Sequence, residues 1–174
     1  MILNIVTFPA ESLRKKAAPV EKLTPEIEAL IADMIDTLYE AEGYGLAAPQ
    51  VGQSLRILVY DEDAGKLTRQ PKVVINPEFI LQEGEMIGDE GCLSVPGEYA
   101  SVKRFAHVIV KAMNEKWEPV EIDATEQLAR ILQHETDHLN GVLFLDRLPS
   151  FKRDTLKKHI KRRISSGDYE VVGS

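Results

Sequence analysis

Only one cysteine, Cys92, occurs in the 174 residues, which excludes an internal disulfide framework and suits a reducing compartment. No run of about 18 apolar residues is present, so no membrane span is expected. The opening "MILNIVTFPAESLRKK" has a short apolar run but lacks a basic lead-in and a small-residue cleavage site. It also carries Glu11, where a transit peptide avoids acid, so no targeting segment is expected and the cytoplasm is the default. Internal repeats, low-complexity tracts and linker-like Gly/Ser/Pro runs are missing too. What remains is an ordinary globular composition, 44% hydrophobic and 28% charged, long enough for one domain with a substantial core.

Positive charge is scarce overall, with a net charge of −7 that argues against broad nucleic-acid binding, yet it is unevenly placed. Residues 151–163, "FKRDTLKKHIKRR", hold seven Lys/Arg against one Asp, a local +6. The remainder then has 14 basic and 27 acidic residues, or −13.

Thr24-Pro25 is a helix start, with Thr24 as N-cap and Pro25 at the first helical position. Ile27, Leu30, Ile31, Met34, Ile35 and Leu38 follow at helical spacing, and the helix should fail at Gly43. From about 54 to 122 the period changes. "LRILVYD", "KVVINPEF", "VKRFAHVIVKA" and "EPVEIDA" are β-rich runs with no helix between them, so antiparallel pairing is expected. Asp123 with Glu126 resembles a capping box, and Asn140-Gly141 a C-cap, around a second helix with apolar residues on all sides. A third helix, about 150 to 164, carries the basic segment. The expected class is α+β: antiparallel β-sheets packed around a central buried helix, with an N-terminal and a C-terminal helix. Residues 1–165 form one metallohydrolase domain in this reading, and 166–174 a loose tail.

The central helix contains "QHETDHLNG", residues 133–141. Four residues turn about 400°, so His134 and His138 face one side and can bind one metal, with Glu135 beside them to act on water. The extended protease pattern H-E-x-x-H-x-x-G-x-x-H is met through Gly141 but ends in Phe144, which cannot ligate. His107, in a strand, and His159, in the basic helix, are the other histidines. Spacing alone leaves a carboxylate ligand open. Cys92, in the sharply bent "EGCLSVPG", is the better candidate, because one Cys and two His leave a fourth tetrahedral position free. A lone cysteine is otherwise usually a small buried apolar residue. "GYGLAAPQVG", residues 43–52, allows close backbone approach and offers the Gln50 amide; it does not match a phosphate loop.

Taken together and in this order, "GYGLAAPQ", "EGCLSVPG" and "QHETDHLNG" resemble the peptide deformylase family. The likeness runs from "FPAESLRKKA" through "GVLFLDRL". It implies antiparallel sheets around a helix carrying H-E-x-x-H. It also implies hydrolysis of the N-formyl group from the initiator methionine of nascent polypeptides, with release of formate. By the resemblance Cys92, His134 and His138 are the metal ligands, and water activated by the metal attacks the formyl carbon with Glu135 as general acid/base. Gln50 and the backbone N–H of Leu93 match the positions that bind the formyl oxygen, and Gly45 one where the substrate backbone docks. The implied cofactor is Fe(2+), with Zn(2+), Ni(2+) or Co(2+) able to occupy the site, and the implied state is a monomer. Glu90 and Arg104 match positions that pair, and Asp137 is either a hydrogen-bond partner of the site or a surface carboxylate.

Some positions depart from the family pattern. Glu126-Gln127 stands where relatives commonly have Gly and an apolar residue, and Tyr44 where Ile or Val is common. The resemblance places Tyr44, Gln127 and Ile131 near the pocket for the methionine side chain. The basic helix is either a solvated face or a ribosome contact, the second reading fitting a +6 patch on a chain otherwise at −13. An H-E-x-x-H metallopeptidase and a non-catalytic metal-binding homologue are the alternatives of other function.

Overall fold

Thr24 starts the first helix through its side chain: Oγ1 accepts the Ile27 N–H at 3.2 Å. That helix, α1 (Pro25–Glu40), buries Ile31, Met34 and Leu38. The chain then turns into a five-stranded antiparallel sheet, as expected for strands joined without helices. Its strands are β1 (Gly45–Ala47), β2 (Ile57–Tyr60), β3 (Lys72–Glu83), β6 (His107–Met113) and β7 (Pro119–Thr125), in that spatial order. A separate hairpin, β4 (Met86–Cys92) and β5 (Val95–Arg104), stands between β3 and β6 in sequence. The remaining helices are α2 (Glu126–Leu139) and α3 (Ser150–Ser165). The chain is thus α+β. This computed structural model describes residues 1–173.

Strand alternation decides what each helix covers. Ile57, Val59, Val73 and Ile75 pack with Ile31, Met34 and Leu38 of α1. Their neighbours Leu58, Tyr60 and Val74 face the other way, with Val108, Val110, Leu132 and Leu139, so α2 lies on the opposite face. From Ala129 to Leu139 every residue of α2 except Asp137 is buried. Gly141 ends this helix with φ 74, and a β-carbon there would meet the Arg14 carbonyl oxygen at 2.3 Å. The β4–β5 hairpin closes a third cluster with Leu13, Phe144, Leu145 and Ile160.

Three expectations need correction. The run at 102–112 is two strands, because the Gln133 amide holds both Phe105 N and Phe105 O at 2.9 Å and turns the chain between β5 and β6. No capping box starts α2: Asp123 pairs with Ile109 inside β7 and bonds His107, while Glu126 takes φ 55 and the N-cap Thr125 makes no side-chain cap bond. Cross-strand pairing as far as His107–Thr125 therefore prevails over local capping. The C-terminal segment is not loose either. Thr7 N donates to Val172 O at 2.9 Å, Val172 N donates to Thr7 Oγ1 at 2.8 Å, and the buried Tyr169 bonds Phe8 O at 2.7 Å. Only Ser174 of that segment lies outside the described residues.

The basic helix is only partly free. Its Arg163 donates to Pro96 O at 2.9 Å, pairs with the buried Glu98 and with Asp168, and lies over the Tyr169 ring. Lys157, Lys158, Lys161 and Arg162 are exposed.

Candidate metal centre

Helical geometry brings His134 and His138 together as the spacing demands, with ring centroids 5.1 Å apart and edge-on. The end of β4 supplies the third donor: Cys92 Sγ is 3.3 Å from His138 Nε2. One sulfur and two imidazole nitrogens lie within 4.8 Å of one another, the one such cluster found among the described residues. Ligand bonds of about 2.0–2.3 Å would join three such atoms to one ion, and the donor set suits zinc, iron, nickel or cobalt. Phe144, where the protease pattern has a third histidine, is buried and stacks on His134 at 6.2 Å.

A buried charge network fixes His134. Its Nδ1 is 2.8 Å from Glu90 Oε1, which leaves Nε2 for the metal. Arg104 grips the same carboxylate with Nε and Nη2, each at 2.8 Å, and Arg130 approaches from α2. Arg104 also reaches Asp137 at 2.6 Å, and Arg147 closes the chain from outside. Burial would push the Glu90 carboxyl up, but Arg104 and His134 outweigh it and hold it well below the usual range. Asp137 thus belongs to the support of the site through Arg104.

Glu135 has no such support. Its Oε1 is buried without a hydrogen-bond partner, as is His138 Nδ1. Burial pushes the Glu135 carboxyl up to about 7, against the pull of His134. Burial opposes charge on His134 too, yet Glu135, Cys92 and Glu90 hold it well above its usual value; burial and the His134 charge drive His138 well below. Metal uptake would displace a proton from this set.

Gln50 is oriented by the strand before it. Ala47 N donates to its Oε1 at 2.9 Å, so the Nε2 group points to Ser94 Oγ at 3.1 Å and Cys92 Sγ at 3.5 Å. Leu93 follows Cys92 in the turn that joins β4 to β5. Gln50, Leu93, Glu135 and all four expected substrate positions, Tyr44, Gly45, Gln127 and Ile131, line one pocket of about 500 Å³. Tyr44 sits at its mouth, its hydroxyl 3.0 Å from Lys66 Nζ. The other histidines are elsewhere: His107 bonds Glu83 and Asp123, and His159 bonds Glu98. Arg130 joins the site from outside every sequence motif discussed above, and Ser94 lies within "EGCLSVPG" without having been singled out. A charged residue one turn before His134 in a buried run was the available signal for Arg130.

A family model described as "Polypeptide deformylase" matches residues 2–154. A peptide deformylase of Thermodesulfovibrio yellowstonii is 43% identical over 162 residues, covering 93% of this chain and 98% of that one. One of Desulfitobacterium hafniense is 48% identical over 152 residues, covering 87% and 98%. Among solved structures, a peptide deformylase of Legionella pneumophila superposes with TM-score 0.90 at 43% identity, covering 98% of this chain and 99% of that one. One of Ehrlichia chaffeensis in complex with actinonin gives 0.85 at 39%, covering 93% and 97%.

Proposed function

Since this chain belongs to the peptide deformylase family, whose members remove the formyl group from nascent polypeptides, we propose that it does so through Cys92, His134 and His138 as the ligands of one metal ion. Such an ion acts as a Lewis acid that lowers the pKa of water enough for attack near neutral pH. Every other part of the reaction falls to the chain's own side chains and backbone.

The formyl group enters the pocket with its oxygen toward Gln50 Nε2 and the Leu93 N–H. The Gln50 amide is already fixed by Ala47 N at 2.9 Å, so it need not reorganise as negative charge grows on that oxygen. Loss of one such donor typically costs about 3–4 kcal/mol of barrier. Glu135 takes the proton of the attacking water and passes it to the amine nitrogen as the C–N bond breaks, leaving formate and a free methionine amine. Burial without a hydrogen-bond partner raises this carboxyl above its usual range, which favours its holding the proton between the two transfers. Gly45 lets the substrate backbone approach β1, and the methionine side chain lies among Tyr44, Gln127 and Ile131. Ferrous iron is the expected physiological occupant by family likeness, with zinc, nickel or cobalt as substitutes. We place the enzyme in the cytoplasm as a monomer, with Lys157, Lys158, Lys161 and Arg162 as its ribosome contact.

The observation that carries the reading is the buried Glu135 oxygen without a partner, beside a cluster of three metal donors of which Cys92 and His134 line the pocket. Formate release from a formyl-Met tripeptide, measured on anaerobically purified, iron-loaded protein beside Glu135→Ala, tests it. Turnover that the variant lacks, with equal metal content, supports the assignment. An active variant removes Glu135 from the mechanism, and inactive wild type would favour a metal-binding homologue without catalysis.

A further inference from the structure

Tyr99 lines two cavities at once. One is the pocket just described; the other is an open groove of about 350 Å³ between β5 and α3, walled by Tyr99, Ala100, Leu148, Phe151 and Leu156. Tyr99 is 73% exposed and Phe151 68%. With Tyr44 they make three of the four large aromatic side chains exposed among the described residues, so this surface is concentrated along one path from the metal donors to α3. Exposed aromatics grouped in this way mark a binding surface more often than scattered ones do.

Both walls are held in place. A β-carbon on Gly91 would lie 2.5 Å from the Tyr99 ring, so that ring rests on backbone one residue before Cys92. The α3 wall is fastened to β5 through Glu98, which accepts from His159 Nδ1 at 2.8 Å and from Arg163 Nη1 at 2.5 Å. The groove is therefore preformed, and its apolar lining is continuous with the substrate pocket across a single ring.

We infer that the groove extends the substrate site and seats an apolar or aromatic side chain of the polypeptide downstream of its formylated residue. The inference rests on the deformylase reading of the pocket. The nascent chain leaves the pocket over Tyr99 and lays that side chain between Tyr99 and Phe151. The contact is made equally in ground and transition states, so it acts on KM and leaves kcat alone.

Formate release is compared for a formyl-Met tripeptide and for longer formyl-Met peptides in which one leucine or phenylalanine moves stepwise along a Ser/Gly chain. At one position KM should fall about fivefold at constant kcat, as expected for partial burial of one such side chain. Phe151→Ser should abolish that preference and leave the tripeptide's kcat/KM unchanged. Equal KM at every position, or a preference that survives Phe151→Ser, overturns the inference. If even the tripeptide releases no formate, the deformylase reading fails instead, and anisotropy titrations of the same peptides, labelled, then decide whether the groove binds them.

Discussion

Gly45 lies so close over Glu135 that a β-carbon at position 45 would stand 2.6 Å from the carboxylate oxygen Oε2 and 2.7 Å from Cγ. The first residue of β1 is thus glycine for the sake of a side chain on α2. Under the proposed function, backbone docking of substrate would give it a second reason, and the two uses are compatible only without a side chain.

Gly45→Ala should therefore displace the Glu135 carboxylate and lose most of the general-base contribution, at least about 100-fold in kcat/KM. Metal content should be unchanged, because the three atoms a β-carbon at position 45 would meet first all belong to Glu135 and not to a donor. Formate kinetics and metal analysis on one preparation check this. Full activity in Gly45→Ala would show that Glu135 has room to spare.

The donors and the base should separate cleanly by metal content. Cys92→Ala is expected to lose metal on dialysis, and Glu135→Gln to keep it. Glu90→Gln should weaken metal binding about 10- to 100-fold without touching the ion, because it replaces the charged carboxylate that holds His134 Nδ1 at 2.8 Å with a neutral amide. Competition against a chelator reads all three. Retention of metal by Cys92→Ala would direct the search to another third ligand.

Acid should unfold the metal-free protein partly through Glu90. Its carboxyl is held below its ordinary range in the fold, so the unfolded chain binds more protons there. The stabilisation is complete above the unfolded value of about 4.3 and is lost as the pH falls toward the lower folded one. The difference in urea midpoint between wild type and Glu90→Gln, which isolates this contribution from the slopes of Glu135 and the histidines, should accordingly hold from pH 7 to about 5 and then shrink. Parallel acid slopes for the two proteins would count against the argument.

How much of this could be read from the chain follows from which interactions are local. His134, Glu135 and His138 are one turn apart on a helix, so their grouping was legible from spacing. The face of α1 was legible too, since every predicted apolar position is buried or half-buried. Cys92 comes to the histidines only because β4 ends beside α2, and no local pattern encodes that; the chemistry of a Cys and two His favoured it, and the likeness of three motifs to a family implied it. The corner at Phe105 depends on Gln133 from a different element, so residues 102–112 read as one strand. The tail reads as polar and loose because the partners of Tyr169 and Val172 lie at the other end of the chain.

Those partners make the C-terminus part of the metal site's support. Tyr169 OH donates to Phe8 O at 2.7 Å and lies 3.4 Å from Ser94 O, the carbonyl that also accepts the Phe8 N–H at 2.7 Å. Ser94 in turn meets Gln50 Nε2 at 3.1 Å and its N–H meets Cys92 Sγ at 3.4 Å. Tyr169→Phe removes one buried hydrogen bond and should cost about 1 kcal/mol of stability. Tyr169→Ala also empties a packed volume between Arg163 and the segment around Phe8, and about 3–5 kcal/mol is expected, as for other large aromatics cut to alanine. Removal of residues 166–174, which also loses the Thr7–Val172 bonds, should cost at least as much as Tyr169→Ala in urea denaturation and speed metal release to a chelator. Stability and release rate equal to those of the full chain would return the segment to the status of an appendage.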